Sequence, residues 1–470
     1  MWENTHGKPT ELEPLRFIFD VQLVGTIMTS YEDREAFIPY RRTELIELCL
    51  KDGQLDAAEV QKFRDFCSLL SAYYHFQFHS YLERLKDNYV PFNPDVETPT
   101  RIQLTPQEQS DKEAKLVADF KTILERANYV SLSQEKLQEA FREESLIELR
   151  TDLDFNDFEQ MLCYSRGDTK KITWNQQKSF WKVEKVFDVF ERVVLLIKFK
   201  DESYFLAKKE KFDKLKFTPG KIYVYLYRNI PRFDIEFLFP NVKTSMTWKD
   251  RLLLGIPAVG AAVPLVLKIL PQLLLIVGVI LFFTVGPSYA KQLSVSEEDV
   301  QNFLPALVAM LSLLVTIGGF GFRQYSVYKS KQLSFQKKVA ETLFFRNMDN
   351  NAGVFQSLID DAEEEECKEI LLVFYHLLTS KSPLTAEQLD NRIETWMDEK
   401  FGTKIDFDIN GPLRNLEGIR GKIAKDGSKS VNTADIPLLT KDSQGNCHIL
   451  SIEEALAVLD YVWDNAFRYN

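Results

Sequence analysis

The sequence predicts a membrane α-helical hairpin carrying soluble parts: an N-terminal part that is α and then α+β, and a C-terminal part that is winged-helix-like α+β. Three observations predict it. Leu252–Gly286 is uncharged except for Lys268, and Phe303–Phe322 has no charge at all. A hydrocarbon core about 30 Å thick takes roughly 20 apolar residues of helix to cross. Ile222, Val224 and Leu226 alternate with Tyr223, Tyr225 and Tyr227, the period of a strand. After residue 363, two helix-start signatures flank a turn-rich stretch, Lys441–Asn446.

The elements follow in chain order. Thr43 can cap a helix with Glu44 and Glu47 in its first turn. A longer helix runs from about Asp56 toward Lys86, with Val60, Phe63, Cys67, Leu70 and Tyr74 at helical spacing. Pro91 and Pro94 end it. Thr105-Pro106-Gln107-Glu108 starts a third helix: Thr caps, Pro takes the first position and Glu reaches back. It runs to about Asn128. Ser131 or Ser133 caps another helix through about Phe141. From Leu146 the pattern shifts toward strands. Phe190–Lys200 reads as a strand, Asp201–Ser203 as a turn, and Tyr204–Ala207 as a returning strand.

Pro257, Pro264 and Pro271 recur every seven residues in the first apolar stretch. Proline removes a backbone donor and kinks a helix. Residues 252–267 therefore read as a kinked lead-in, interfacial or re-entrant, and 269–286 as a span. The alternative is a hairpin turning at Lys268, which gives three spans with 303–322. Basic residues flank the apolar region on both sides, Lys243, Lys249 and Arg251 before it and Arg323, Lys329, Lys331, Lys337 and Lys338 after it. The intervening loop is acidic at Glu297, Glu298 and Asp299. That asymmetry predicts that both termini are cytoplasmic.

Arg323–Phe345 continues as a helix. Glu363–Thr379 is the next helix, and Thr385-Ala386-Glu387-Gln388 caps another with the stripe Leu389, Ile393, Trp396 and Met397. Pro412–Ile419 is a short third helix. Asp435–Thr440 and Cys447–Ser451 read as a hairpin. Ser451–Glu454 caps a closing helix that packs Leu456, Leu459 and Trp463. The predicted domains are 1–128 helical, 129–247 α+β, 248–323 membrane, 324–350 a basic juxtamembrane helix, and 351–470 an acidic winged-helix-like module.

Charge is unevenly spread. The chain of 470 residues carries −11; residues 351–470 carry −10, 323–350 carry +4, 251–322 carry zero and 1–250 carry −5. A module at −10 repels nucleic acid, whose binding rests on phosphate contacts. The five cysteines form no C-x-x-C pair, which excludes a zinc module or disulfide framework and fits free thiols. Cys49 and Cys67 read as small core residues. Met1–Leu15 has no apolar h-region and no Arg-rich amphipathic pattern, so no leader is expected.

Candidate chemistry is sparse. His75 and His79 share one helical face, but no Glu follows the first as metalloprotease chemistry requires. They read as partly buried helix histidines. Glu363–Glu366 with Asp360 and Asp361 could collect cations, but read as the solvated first turn of a helix. Lys329, Lys331, Lys337 and Lys338 could hold anionic lipid or only fix topology. Gly318–Gly321 suits close helix packing and lacks the Lys-Ser/Thr of a phosphate loop. Lys268 reads as snorkelling or marking a bend. The tyrosine face of the strand at 222–227 is expected either at headgroup depth, against anionic lipid, or covered by helices.

Four stretches carry a family resemblance: Phe37-Ile38-Pro39-Tyr40-Arg41-Arg42; Tyr89-Val90-Pro91-Phe92-Asn93-Pro94; Ile230-Pro231-Arg232-Phe233-Asp234-Ile235-Glu236 leading to Leu238-Phe239-Pro240-Asn241; and Ala455–Phe467 with Trp463-Asp464-Asn465. With them the chain resembles the uncharacterised transmembrane protein 143-like family. That family shares a domain of unknown function found in bacteria, cyanobacteria, plants and mitochondria. The resemblance implies a membrane protein with two spans and no established activity. It points to a bacterial or cyanobacterial inner or thylakoid membrane, or a mitochondrial one in a eukaryote.

The expected function is a membrane-anchored scaffold or adaptor, with the lipid bilayer and other proteins or further copies of itself as partners, and no nucleic acid. No catalytic, cofactor or metal residue is expected. The alternatives are a membrane-surface enzyme of unrecognised type and a subunit of an oligomeric transporter or channel.

Overall fold

A computed structural model describes residues 36–95, 104–140, 150–176, 182–210, 212, 215–245, part of 308–342, 343–423 and 434–466. The helices are α1 (Arg42–Lys51), α2 (Ala57–Tyr89), α3 (Pro106–Arg126), α4 (Gln134–Ala140), α5 (Glu202–Ala207), α6 (Ala352–Leu378), α7 (Ala386–Phe401), α8 (Asn410–Gly418) and α9 (Ile452–Asn465). The strands are β1 (Val130–Ser131), β2 (Arg150–Asp152), β3 (Phe158–Gln176), β4 (Lys182–Phe199), β5 (Ile222–Pro231), β6 (Lys243–Ser245), β7 (Asn347–Asn350), β8 (Leu384–Thr385), β9 (Arg420–Ile423), β10 (Ala434–Pro437), β11 (Leu439–Lys441) and β12 (Asn446–Ile449).

The largest sheet runs β1-β3-β4-β5-β7, and every neighbouring pair in it is antiparallel. Its two faces feed two cores, because strand side chains alternate sides. Leu162, Tyr164, Val194, Leu196, Ile222, Val224 and Leu226 enter the larger core, with α1, α2, α3, α6 and the C-terminal helices. Cys163, Val193, Leu195, Ile197 and Tyr227 face the other way, onto α4, Phe205 of α5 and the turn of 3-10 helix at Arg232–Leu238.

Helix α2 is long because its apolar positions keep a helical period throughout, from Phe63 through Cys67, Leu70, Tyr74, Phe78 and Leu82 to Tyr89. Asp56 caps it by accepting from the Ala58 and Glu59 amides at 2.8 Å, and Glu59 reaches back to Asp56 at 3.0 Å. Helix α6 is the centre of the larger core. Phe374 stacks on Phe66 at 4.0 Å, and Phe355 meets Tyr89 at 5.1 Å and Phe120 at 6.1 Å.

The expected fold class is corrected. The described residues form a mixed α/β structure with antiparallel sheets, and none of their helices is long and apolar enough to cross a membrane. An apolar run argues for a span only when it forms one continuous helix of sufficient length. No such helix occurs among the described residues, so the membrane hairpin, the multi-pass integral localisation and the orientation drawn from flanking lysines all lose their support. The lead-in 252–267 and the stretch 269–286 lie outside the described residues, as does Lys268. Of 303–322 only Val308, Leu311, Ser312, Val315, Gly318, Gly319 and Phe322 are described, and all are helical.

The C-terminal part contains three helices, a hairpin and a closing helix in the expected order, with a small sheet ordered β11-β12-β8. It is not a free-standing winged-helix-like module. Its first helix, α6, is buried among α2, α3 and β5, so its core is continuous with that of the N-terminal helices. The hairpin is also shifted: Leu439–Lys441 pairs with Asn446–Ile449, while Ala434–Pro437 pairs with β9.

Smaller expectations move as well. Thr43 lies inside α1, whose N-cap is Arg41 with no side-chain cap bond. Tyr204–Ala207 is helical in α5, and β4 pairs instead with β5. The tyrosine face of β5 is covered, with Tyr227 buried and Tyr223 and Tyr225 packed against the smaller core.

Candidate functional site

The strongest concentration of charge lies where α6 crosses the N-terminal segment and the sheet. The acidic run Glu363–Glu366, with Asp360 and Asp361, reads from the sequence as a solvated first turn. It is instead the middle of α6, which begins at Ala352. Glu365, Glu366, Lys368 and Glu369 are all buried. A helix that is apolar all round is a buried helix, and Ile370–Phe374 continues α6 with no polar face. Buried charges need partners, since an ion stripped of water without one is very costly.

The partners come from distant elements. Lys368 Nζ donates to Glu365 Oε1 at 2.6 Å and to the Ile38 carbonyl at 2.6 Å. Glu365 Oε2 accepts the Ile38 amide at 3.1 Å. The main chain at Ile38 is thus held on both its donor and its acceptor. The Arg42 amide donates to Glu364 at 2.7 Å, supplying α1 with the cap it lacks locally. Asp361 takes Arg166 at 3.2 Å, the Tyr129 hydroxyl at 2.9 Å, and Arg192. Burial opposes the charge on Arg192, but Asp361 outweighs it and the guanidinium is held more firmly protonated than usual. Arg166 also lies over the rings of Tyr129 at 4.8 Å and Phe37 at 5.1 Å. Arg126 grips Glu366, with Nη2 at 2.6 Å from Oε2.

Glu369 differs from its neighbours. Asn128 Nδ2 donates to it at 2.7 Å. Burial comes first in pushing its carboxyl pKa well above the usual range; the Asn128 bond opposes, and Glu365, Glu366 and Asp408 add repulsion. The site therefore contains one carboxyl that is harder to ionise than usual beside several paired carboxylates.

These groups border two cavities. A cleft of about 620 Å³ is lined by Phe37–Arg41, His75, Arg166, Glu191, Arg192, Asp360, Asp361, Glu363–Glu365 and Lys368. A second, about 460 Å³, lies across Phe37 and Arg166 and is bounded by β1, α4 and β3.

The remaining sequence candidates fall elsewhere. His75 and His79 are both exposed rather than partly buried, and His75 Nδ1 is 2.9 Å from Glu363 Oε2. Among the described residues no group of three His, Cys, Asp or Glu is arranged to hold a metal ion. Lys329 and Lys337 are exposed on the helical residues of 308–346, and Lys329 Nζ donates to Gln332 at 3.2 Å. Lys331 and Lys338 lie outside the described residues, as do Phe320 and Gly321. All five cysteines are buried free thiols. Burial pushes the Cys367 thiol up to about 12, so it stays protonated and inert.

The stretches that carry the family resemblance are joints of the fold. Phe37–Arg42 is held by α6. Tyr89 lies 2.8 Å from the Ile222 carbonyl and 3.0 Å from Asn351 Oδ1. Ile230–Glu236 closes the smaller core. Residues 190–353 match the family model described as Protein of unknown function (DUF3754). No solved structure matches the chain. The DUF3754 region takes in most of β4, all of β5 and β7, Arg192 and Asn351. It stops before the acidic run of α6, so the charge network joins that region to residues on both sides of it.

Proposed function

We propose that the protein is a scaffold or adaptor that organises partner proteins. The observation that carries this reading is an exposed apolar row. On the helical residues of 308–346, Val315 is 69%, Phe322 72%, Leu333 63%, Phe344 77% and Phe345 69% exposed. Several large apolar side chains left exposed on helical residues are candidates for contact with a partner. The charged cleft supports the same reading. Arg166, Arg192 and Lys368 are each engaged by a carboxylate of α6, and the Glu365–Lys368 pair holds main chain. Those groups are committed to joining elements. The likeness to the transmembrane protein 143-like family rests on the four motifs and adds no activity.

The test is sedimentation of the full chain, with cross-linked capture from native extract, for the wild type and for F322D/F344D. A stoichiometric complex, with another protein or with a second copy, should form and be lost in the variant. A wild-type chain that sediments as a monomer and yields no cross-linked complex would overturn the reading.

A further inference from the structure

Asp154 caps a 3-10 turn, Phe155–Asp157, that leads into β3. Its Oδ1 accepts the Asn156 amide at 3.0 Å, and its carbonyl accepts the Asp157 amide at 3.2 Å. The turn brings both carboxylates to one point. There Lys208 Nζ donates to Asp154 Oδ2 at 2.7 Å and to Asp157 Oδ1 at 2.5 Å. Asp157 is 4% exposed, whereas Lys208 sits just past the end of α5 and is exposed. The Lys208 contact comes first in holding the Asp154 carboxyl below its usual range, so it is ionised in the fold.

Asn241 points its amide at the same place and is 8% exposed. Its Nδ2 donates to the Asp154 carbonyl and to Asp157 Oδ2, both at 3.1 Å. Its Oδ1 is buried with no hydrogen-bond partner. A buried polar atom without a partner calls for an explanation, an ion among them. A half-turn about the last side-chain bond exchanges the two ends of an amide, which differ only in what they bond. Turned over, Asn241 gives up no bond at its far end and presents Oδ1 to the Asp154 carbonyl and Asp157 Oδ2. Three oxygens then face one another, and a cation between them is required. With Lys208 withdrawn, Asp154 Oδ2 and Asp157 Oδ1 become available too. Carboxylate, carbonyl and amide oxygens are the donors that Ca²⁺ takes, with waters completing its shell. Mg²⁺ keeps several of its own waters and suits such a set less well.

We propose that Asp154, Asp157 and Asn241 form a Ca²⁺ site, and that Lys208 is a built-in cation that fills it until the metal displaces it. The exposed Lys208 side chain swings into water, and the two carboxylates are left balanced by one divalent ion. The metal joins the entry of β3 to the turn at Asn241. The rings of Phe155, Phe158 and Phe239 pack on one another at 5.9 to 6.3 Å and hold those two segments together before the metal arrives. Two carboxylates set a modest affinity, on the order of 10⁻⁴–10⁻³ M.

Luminescence of Tb³⁺, which substitutes for Ca²⁺, tests it on the full chain. Tyr204, whose ring centre lies 5.7 Å from Lys208 Nζ, is placed to sensitise the ion. Saturable emission should appear in the wild type and be displaced by Ca²⁺ at about 10 mM, but not by as much Mg²⁺. Lys208→Met removes the competing ammonium and should tighten Ca²⁺ by about tenfold or more. Asn241→Leu, of similar size but without the oxygen, should weaken it by about as much, and Asp157→Asn should abolish it. Circular dichroism without metal shows which variants fold. Lys208→Met changes an exposed side chain, so it carries the test if the other two do not fold. A wild type without saturable, Ca²⁺-displaced emission would overturn the proposal. So would Ca²⁺ affinity that K208M leaves unchanged or weakens, or that a folded N241L retains, since the ion would then be adventitious on acidic surface.

Discussion

Asn351 joins three elements through one side chain. Its φ is +50, a region that few residues other than Asn and Gly tolerate. In that conformation its amide donates to the Val224 carbonyl at 2.7 Å, while Oδ1 accepts the Val224 amide at 3.2 Å and Nδ2 donates to Asp95 at 2.5 Å. Asn351→Ala loses the side-chain bonds, leaves a buried amide unpaired and forces Ala into the left-handed region. Unfolding in urea should show a loss of about 2–4 kcal/mol. Asn351→Gly keeps the backbone conformation and should lose less. Two buried titratable groups on α6 act in opposite directions with pH. Glu369 has a raised folded pKa, so its stabilisation is complete below the unfolded value and is lost as pH rises through the folded one. Glu369→Gln keeps an acceptor for Asn128 and removes the ionisation. It should be more stable than wild type at pH 8, with the gap closing toward pH 4.5. His376 is held down to about 3, first by burial and then by the Arg392 cation, against 6.5 when free. Its unfolded form binds a proton that the folded form refuses, so stability falls as pH drops below about 6.5, by about 1.4 kcal/mol per unit at most. His376→Leu should flatten that acid limb in denaturation curves recorded between pH 7 and 4.

At the scale of the element, capping chemistry was the most legible feature. Thr385 accepts the Gln388 amide at 3.3 Å and Gln388 returns a bond at 3.0 Å, and Thr105 and Ser451 close the same reciprocal pair. Removing the Thr385 cap by Thr385→Ala should cost about 1 kcal/mol in urea unfolding. Thr43→Ala, at a site that only resembles a cap, should change stability by less than about 0.5 kcal/mol. The contrast explains where sequence reading works. A capping box is contained in four residues, whereas α1 is capped from across the fold by Glu364, 322 positions away. The alternation of β5 was legible for the same reason, because one residue in two is buried in a single core. Strand β3 was not, since charged residues and Gly167 interrupt its pattern and its stabilising pairs lie on β4. The acidic run on α6 looked solvated because Arg126, Arg166 and Arg192, which neutralise it, sit on α3, β3 and β4. The uninterrupted apolar stretch that follows it was the available signal that the helix is buried. The membrane reading failed at the same scale: it inferred elements from the apolarity of two stretches, whereas a span requires a continuous helix.

For the whole molecule, α6 decides what can fold alone. Its Phe355 rests on Tyr89 and Phe120, its Phe374 on Phe66, and its Tyr375 lies 5.8 Å from Phe63 on one side and 6.4 Å from Trp396 on the other. Its acids are neutralised by Arg126, Arg166 and Arg192. Residues 351–470 produced alone would keep α7, α8, α9 and the small sheet, yet would expose one apolar side of α6 and leave Asp361 and Glu366 without their cations. Like charges on adjacent turns of one helix repel, and aromatic surface of that size drives association. The isolated fragment should therefore show helical far-UV circular dichroism with little near-UV signal, and a broad urea transition. The full chain should show near-UV structure and a steep transition whose midpoint falls on Phe374→Ala, by about 3–5 kcal/mol in stability. A fragment that unfolds as steeply as the full chain, with a native near-UV spectrum, would show that the α6 faces buried by α2 and α3 are dispensable. The charge network would then be an interface between two independently folded parts.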